Sequence, residues 1–247
     1  ADGHVLSLQN GLTERIIAGI AGHARTVGAF VNFGADWLAP GEILYGNRGA
    51  VVIGELDGAI TDRLRSLHRT LLDFDDAAVM TGNIWGYLWG KLAYGAMLFA
   101  QALGQDSIAG ALGNPRLFGL WRALGAEVMA VAAAEGVRPE GFNGFDPAAF
   151  MPGAPEAAAR RSIDAMVAFN RTSAKTHSGV WRDLAVRRRR TEVDAQIAPV
   201  AEMGARHGLA CPLTARLVAM IHEIEEGRRP MTDDNLIELA SLVGRPA

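Results

Sequence analysis

Between Asn83 and Gln105 the chain reads NIWGYLWGKLAYGAMLFAQALGQ, and its single charged residue is Lys91. An unpaired ammonium among Trp85, Trp89, Leu92, Met97 and Phe99 is costly to bury, so it needs a carboxylate partner, a route to water or a chemical task. Two readings stand side by side. One is a lysine at a domain seam whose stem is buried and whose head reaches solvent. The other is a general acid or carbonyl-polarising cation, since desolvation draws an amine's pKa toward the working range.

Two further stretches carry candidate chemistry. Gln9-Asn10-Gly11 closes the apolar run HVLSLQN. Asn-Gly is a common turn pair, but in an α/β sheet it also sets an amide at the carboxyl end of a strand, where such sheets bind ligands. The segment KTHSGVWRDLAVRRRRTEVD, residues 175–194, holds Ser178, four consecutive arginines and Glu192. On a helix, Arg187–Arg190 wraps nearly a full turn and cannot converge on one ligand. A solvated face pairing with Asp183 and Asp194 is the expectation. Glu192, just ahead of Val193 and Ile197, falls beside the apolar stripe of its helix and is a candidate partner for Lys91. Thr191 with Asp194 as a capping pair is the plainer account of that segment. His177-Ser178 lacks the G-x-S-x-G setting of a hydrolase nucleophile.

The totals exclude several classes. A net charge of −3 over 247 residues gives no global attraction to nucleic acid. The single cysteine, Cys211, rules out an intramolecular disulfide framework and suits a reducing, cytoplasmic setting. Next to Pro212 it reads as structural, because nothing local would lower its pKa. Among 29 glycines no two are separated by one residue, so neither a dinucleotide fingerprint nor a P-loop is present. No histidine or cysteine spacing suggests a metal. The 83–105 run is long enough to cross a bilayer, but its central lysine and four glycines favour a buried core helix over a membrane span. The chain opens Ala-Asp-Gly-His, without a charged-then-apolar leader.

The elements that must hold these residues change character along the chain. Residues 1–80 read as strands and helices: strands at HVLSLQN, TVGAFVNFGA and AVVIGEL, a short helix over 13–21 and an amphipathic one over 60–72. From residue 81 to 247 the pattern is helical only. Helices are expected over 83–103, 117–134, 156–170, roughly 179–207 with a kink at Pro199, 213–226, and from a cap at Thr232. Phe142, Phe145 and Phe150, in a Gly/Pro-rich loop, read as a core plug. The fold class is an α/β piece followed by an all-α domain.

In order along the chain, VLSLQNGL, PGEI…VVIGELDG, WGKLAYGA, SGVWRDL…RRRRTEVD and GLACPLTARL resemble the ketopantoate reductase (2-dehydropantoate 2-reductase) family. The resemblance implies that residues 1–80 are the tail of a Rossmann-type NADPH domain and that 81–247 form the helical substrate domain. It implies an active site in the cleft between them. Lys91 would be the general acid on the carbonyl of a 2-oxo acid, and Glu192 would support its charge and contact substrate or cofactor. Asn10 would lie near the nicotinamide and the reacting centre, and Ser178 would bind substrate, although its spacing to Glu192 is one residue off the commoner pattern. Gly95 and Phe99 stand where the family often has asparagines, which points to a bulkier or more apolar 2-oxo acid than ketopantoate. The family's glycine fingerprint lies upstream of the QNG turn, so an N-terminally incomplete chain is expected. Membership would also imply a role in pantothenate biosynthesis, with a small-molecule substrate and a homodimer as a compatible assembly. The alternative is a non-catalytic helical interaction or dimerisation module.

Overall fold

The computed structural model describes residues 3–244. Its first part is a four-stranded mixed sheet built from β1 (Val5–Ser7), β2 (Thr26–Val31), β5 (Val51–Glu55) and β6 (Val79–Met80), hydrogen-bonded in the order β1-β2-β5-β6. β1 runs parallel to β2, β2 antiparallel to β5 from Val27↔Glu55 to Val31↔Val51, and β5 parallel to β6. Helix α1 (Thr13–Ala21) lies against β1 and β2. Helix α2 (Asp62–Leu72) is capped by Thr61, which accepts from the Leu64 amide at 3.2 Å. It seats Leu64 against Val27, Ala29 and Ile53, a fully buried apolar cluster.

Among the described residues six strands are present where the hydrophobic pattern shows three. The stretch TVGAFVNFGA is not one strand. β2 loses its partner beyond Val31, and the chain swings out at Asn32-Phe33 into a separate hairpin, β3 (Gly34–Ala39) and β4 (Glu42–Asn47). Pro40-Gly41 is the turn of that hairpin, with Gly41 at φ +78°, a left-handed conformation glycine adopts freely. Trp37, Leu38, Ile43 and Tyr45 are exposed on it, so it carries little burial signal to read. β6 is two residues long, too short for any periodicity.

The second part is helical, as its uniform texture suggests. α3 (Ile84–Gln101) is capped by the Asn83 side chain, which accepts from the Gly86 amide at 3.2 Å, and most of its length is buried. Its glycines serve packing. A Cβ on Gly90 would lie 2.7 Å from the Glu140 carbonyl, and the Glu140 amide donates to the Gly86 carbonyl at 3.1 Å, so the 138–147 loop lies directly on the helix. That loop and the short 3₁₀ turn after it deliver Phe142, Phe145 and Phe150 into the core. Their rings join Tyr94 of α3 and Phe30 of β2, with Phe30–Phe142 centroids 4.8 Å apart and Tyr94–Phe145 5.7 Å apart. The aromatic plug thus welds the sheet to the helical part.

On α3 pack α4 (Ile108–Gly113), α5 (Phe118–Ala134), α7 (Gly179–Arg182) and α10 (Pro212–Glu225), and on these in turn α6 (Glu156–Arg171), α8 (Val193–Gln196), α9 (Ala198–Arg206) and α11 (Asp234–Ala240). The helix over 115–134 is long and apolar enough to cross a membrane by length and composition, but half of its apolar window is buried and it packs on α3. The expected continuous helix over 179–207 is broken. A π-helical turn covers 183–187, Arg188 is left-handed at φ +51°, and helix resumes only at Val193.

Candidate active site

The sheet and the helical part enclose a cleft of about 470 Å³, and Lys91, Asn10, Gly95, Ser178 and Glu192 all line it. Helix α3, the starts of α7 and α8, and the turn after β1 therefore bring the residues singled out by sequence to one place.

Lys91 sits mid-helix on α3, half-buried on the side facing β2. Its ammonium donates to the Val31 carbonyl at the end of β2 and lies 5.3 Å from the centroid of the Phe30 ring. Burial pushes its pKa down to about 8, with the nearby charges of Glu14 and then Glu192 opposing that fall. An amine in that range is mostly protonated at neutral pH and can still give up its proton.

Glu192 is placed differently from the sequence expectation. With the 179–207 helix broken, it stands just ahead of α8 without a capping hydrogen bond from its side chain, is exposed, and accepts from the Gln196 side chain at 2.6 Å. Among the described residues no ion pair joins it to Lys91, and its influence there is second to that of Glu14. Glu14 is the residue that pattern reading missed. It stands in the first turn of α1, where an acid is unremarkable because it complements the helix dipole. Only tertiary packing turns it inward.

Asn10 is exposed at the mouth of the cleft. The turn that presents it needs Gly11 at φ +85°, and a Cβ there would lie 3.1 Å from the Ala195 carbonyl, so the turn abuts α8 directly. Ser178 is 3 % exposed and caps α7, accepting from the Trp181 amide at 3.1 Å, which leaves its hydroxyl proton free to donate. At Gly95 a Cβ would meet nothing within 4 Å, so the cleft is open there, with Phe99 buried one turn on.

The arginine run does not form one face. Arg187 and Arg189 both grip Asp183 at 2.9 Å, whereas Asp194 contacts His222 at 2.9 Å. Thr191, expected to pair with Asp194, instead donates its amide and hydroxyl to Glu225, each at 2.7 Å. One more charged group stands out. Asp36 of β3, 6 % exposed, lies 3.2 Å from Lys175 and 3.1 Å from Arg182, tying the hairpin to the helical part over the cleft.

The helical part decides the family. The model described as "Ketopantoate reductase PanE/ApbA C terminal" matches residues 83–225, well over half of the chain. The chain belongs to the ketopantoate reductase family. A 2-dehydropantoate 2-reductase of Archaeoglobus fulgidus is 26% identical over 227 residues, which span 91% of this chain and 69% of that protein. A crystal structure of a PanE/ApbA family ketopantoate reductase from Ralstonia eutropha JMP134 matches with a TM-score of 0.71 at 25% identity, covering 91% of this chain and 67% of that one. A D-mandelate dehydrogenase solved with NADH and anilino(oxo)acetate matches with a TM-score of 0.75 at 19% identity, covering 92% and 69% respectively, a likeness of fold. The mixed sheet followed by a mostly helical domain is thus a fold that this chain shares with a ketopantoate reductase and, as a likeness of fold, with D-mandelate dehydrogenase.

Proposed function

We propose that this chain provides the carbonyl-activating cleft of an NADPH-dependent reductase of 2-oxo acids, with Lys91 as the proton donor. The observation that carries the reading is a titratable, largely protonated ammonium on the floor of a cleft walled by two structural parts. When bound, a reduced nicotinamide supplies hydride to the carbonyl carbon. The chain's own contribution is at the oxygen. Lys91 Nζ gives a proton to the oxygen as negative charge develops there, leaving a neutral amine that is recharged from solvent.

The residues present fit the nicotinamide end of such a site. Asn10 offers an exposed amide on the turn after β1, next to Gln196 and Glu192 across the cleft. No G-x-G turn occurs in the 247 residues, so the proposal assigns them no grip on the pyrophosphate. Ser178 and Asn10 are the polar groups we assign to the substrate's carboxylate and ketone oxygen. The open space at Gly95, backed by Leu98 and Phe99, favours a substrate with a bulky apolar group on its 2-oxo carbon over ketopantoate itself.

The test is NADPH oxidation by the purified protein against a panel of 2-oxo acids, from pyruvate through ketopantoate to branched and aromatic members. The expected result is saturable binding of the acids, with turnover wherever NADPH also binds, and preference for the branched and aromatic members. Absence of turnover and of 2-oxo acid binding across the panel would refute the assignment.

A further inference from the structure

Glu14 is fully buried, and neither of its carboxylate oxygens has a partner at hydrogen-bonding geometry among the described residues. A carboxyl in that state is expensive unless a charge stands near it. The fold supplies one. α1 and α3 both pack on β2, and the backbone of Ala29 flanks Glu14 while the next two residues, Phe30 and Val31, receive the Lys91 ammonium. One strand thus carries both the helix that holds the buried acid and the residues that receive the ammonium.

The other charged groups around Lys91 are occupied or remote from it. Asp36, on the hairpin, is held by Lys175 and Arg182. Asp183 is held by Arg187 and Arg189. Tyr94, on α3 itself, is buried and takes a hydrogen bond from Asn170. β2 contributes no titratable side chain. Glu192, from the segment before α8, acts on Lys91 more weakly than Glu14 does. The influence is mutual: burial raises the pKa of Glu14, and polar contacts with its own backbone, the Ser7 hydroxyl and the Ala29 backbone, followed by the charge of Lys91, oppose that rise.

We propose that Glu14 is the counter-charge of Lys91, a positioning residue behind the cleft floor that keeps the ammonium protonated and aimed into the cleft. This rests on the assignment of Lys91 as proton donor only for its consequence in turnover. The electrostatic claim stands or falls by itself.

The chain has two lysines, Lys91 and Lys175, so ¹³Cε-lysine NMR gives two signals that Lys175→Arg assigns. In the unmodified protein the expected Lys91 midpoint is about 8, below the ordinary range because of burial. In Glu14→Gln, which preserves shape, its midpoint falls by about one pH unit or more, the range for loss of a close opposite charge, while Lys175 does not move. The alkaline limb of kcat/KM shifts down by the same amount, with little change in KM. A merely structural role for Glu14 would lower the melting temperature and leave both midpoints in place. An unmoved Lys91 midpoint in a folded Glu14→Gln protein overturns the proposal whatever the activity does. A midpoint that falls while the kinetic limb stays put confirms the counter-charge and removes Lys91 from proton donation instead. Glu192→Gln, an exposed change, provides the comparison if Glu14→Gln does not fold. It should lower the midpoint by less than half a unit, and a fall of a full unit would make Glu192 the counter-charge and end the case for Glu14.

Discussion

Replacing Lys91 with arginine separates charge from proton donation. A guanidinium keeps the positive charge on the cleft floor but holds its proton throughout the accessible pH range. If Lys91 protonates the carbonyl oxygen, kcat falls by about 10²–10⁴-fold, or roughly 3–5 kcal/mol of transition-state stabilisation. The shape of the pH profile changes as well. With a pKa of about 8, the ammonium is some nine-tenths protonated at pH 7 and about one-tenth protonated at pH 9. kcat/KM in the reductive direction should therefore drop close to tenfold per pH unit above 8, and this limb should vanish in Lys91→Arg. A second, activity-independent readout comes from linkage. The folded-state pKa lies below the ordinary 10.5, so between about pH 8 and 10.5 the unfolded chain binds more protons than the native one, and stability rises with pH across that window. The gain reaches about 3 kcal/mol at its upper end and is absent in Lys91→Met, measured by urea unfolding at a series of pH values. A Lys91→Arg enzyme with the unmodified protein's kcat, or an unmodified profile flat to pH 10, would refute the reasoning.

Other perturbations test other parts of the site. Gly95→Leu projects into empty cleft rather than into protein, so it should leave the melting temperature near its starting value and lower kcat/KM for aromatic 2-oxo acids by about 10–200-fold relative to pyruvate. Asp36→Asn leaves Lys175 and Arg182 facing each other without their shared anion. We expect a loss of about 1–3 kcal/mol in urea unfolding and a higher KM as the hairpin loosens, with kcat less affected. The Cys211 thiol is pushed up to about 11 by burial and by the charge of Glu127, so iodoacetamide at pH 8 should label it slowly in the native protein and rapidly in urea.

What the sequence reveals of this site follows from how each residue stands against its local background. Lys91 is conspicuous because its helix contains no other charge. Gly11 is conspicuous because a turn after an apolar run needs a residue tolerant of positive φ, and the structure places it there. Glu14 is invisible for the opposite reason: an acid in the first turn of TERIIAGIA is what any helix start might carry, and its burial is set by residues far along the chain. Unbroken 3.6-residue periodicity from Gly179 to His207 would set Glu192 beside the apolar stripe. A π-turn and a left-handed Arg188 reset the phase of everything after them, so the acid that should face the core faces water. The β3–β4 hairpin escaped notice because its large side chains are exposed, which leaves no alternation of buried and solvated positions to detect.

One signal lay in composition rather than in periodicity. Of the 24 basic residues, 22 are arginine and two are lysine, and both lysines line the same cleft. Arginine serves wherever this chain needs a permanent cation: on Asp183, on Glu55, and across the Glu223–Glu238 network. It cannot serve where a proton must leave, because its pKa stays above 12 in any protein environment. A chain that uses arginine so consistently and departs from it at Lys91 has placed a titratable cation where burial can bring it into the working range. Lys175 does not share that argument, since it lies 3.2 Å from the Asp36 carboxylate. The difference between the two lysines is the partner each was given: an anion at salt-bridge distance for one, and for the other a carbonyl, a ring and an acid set behind it.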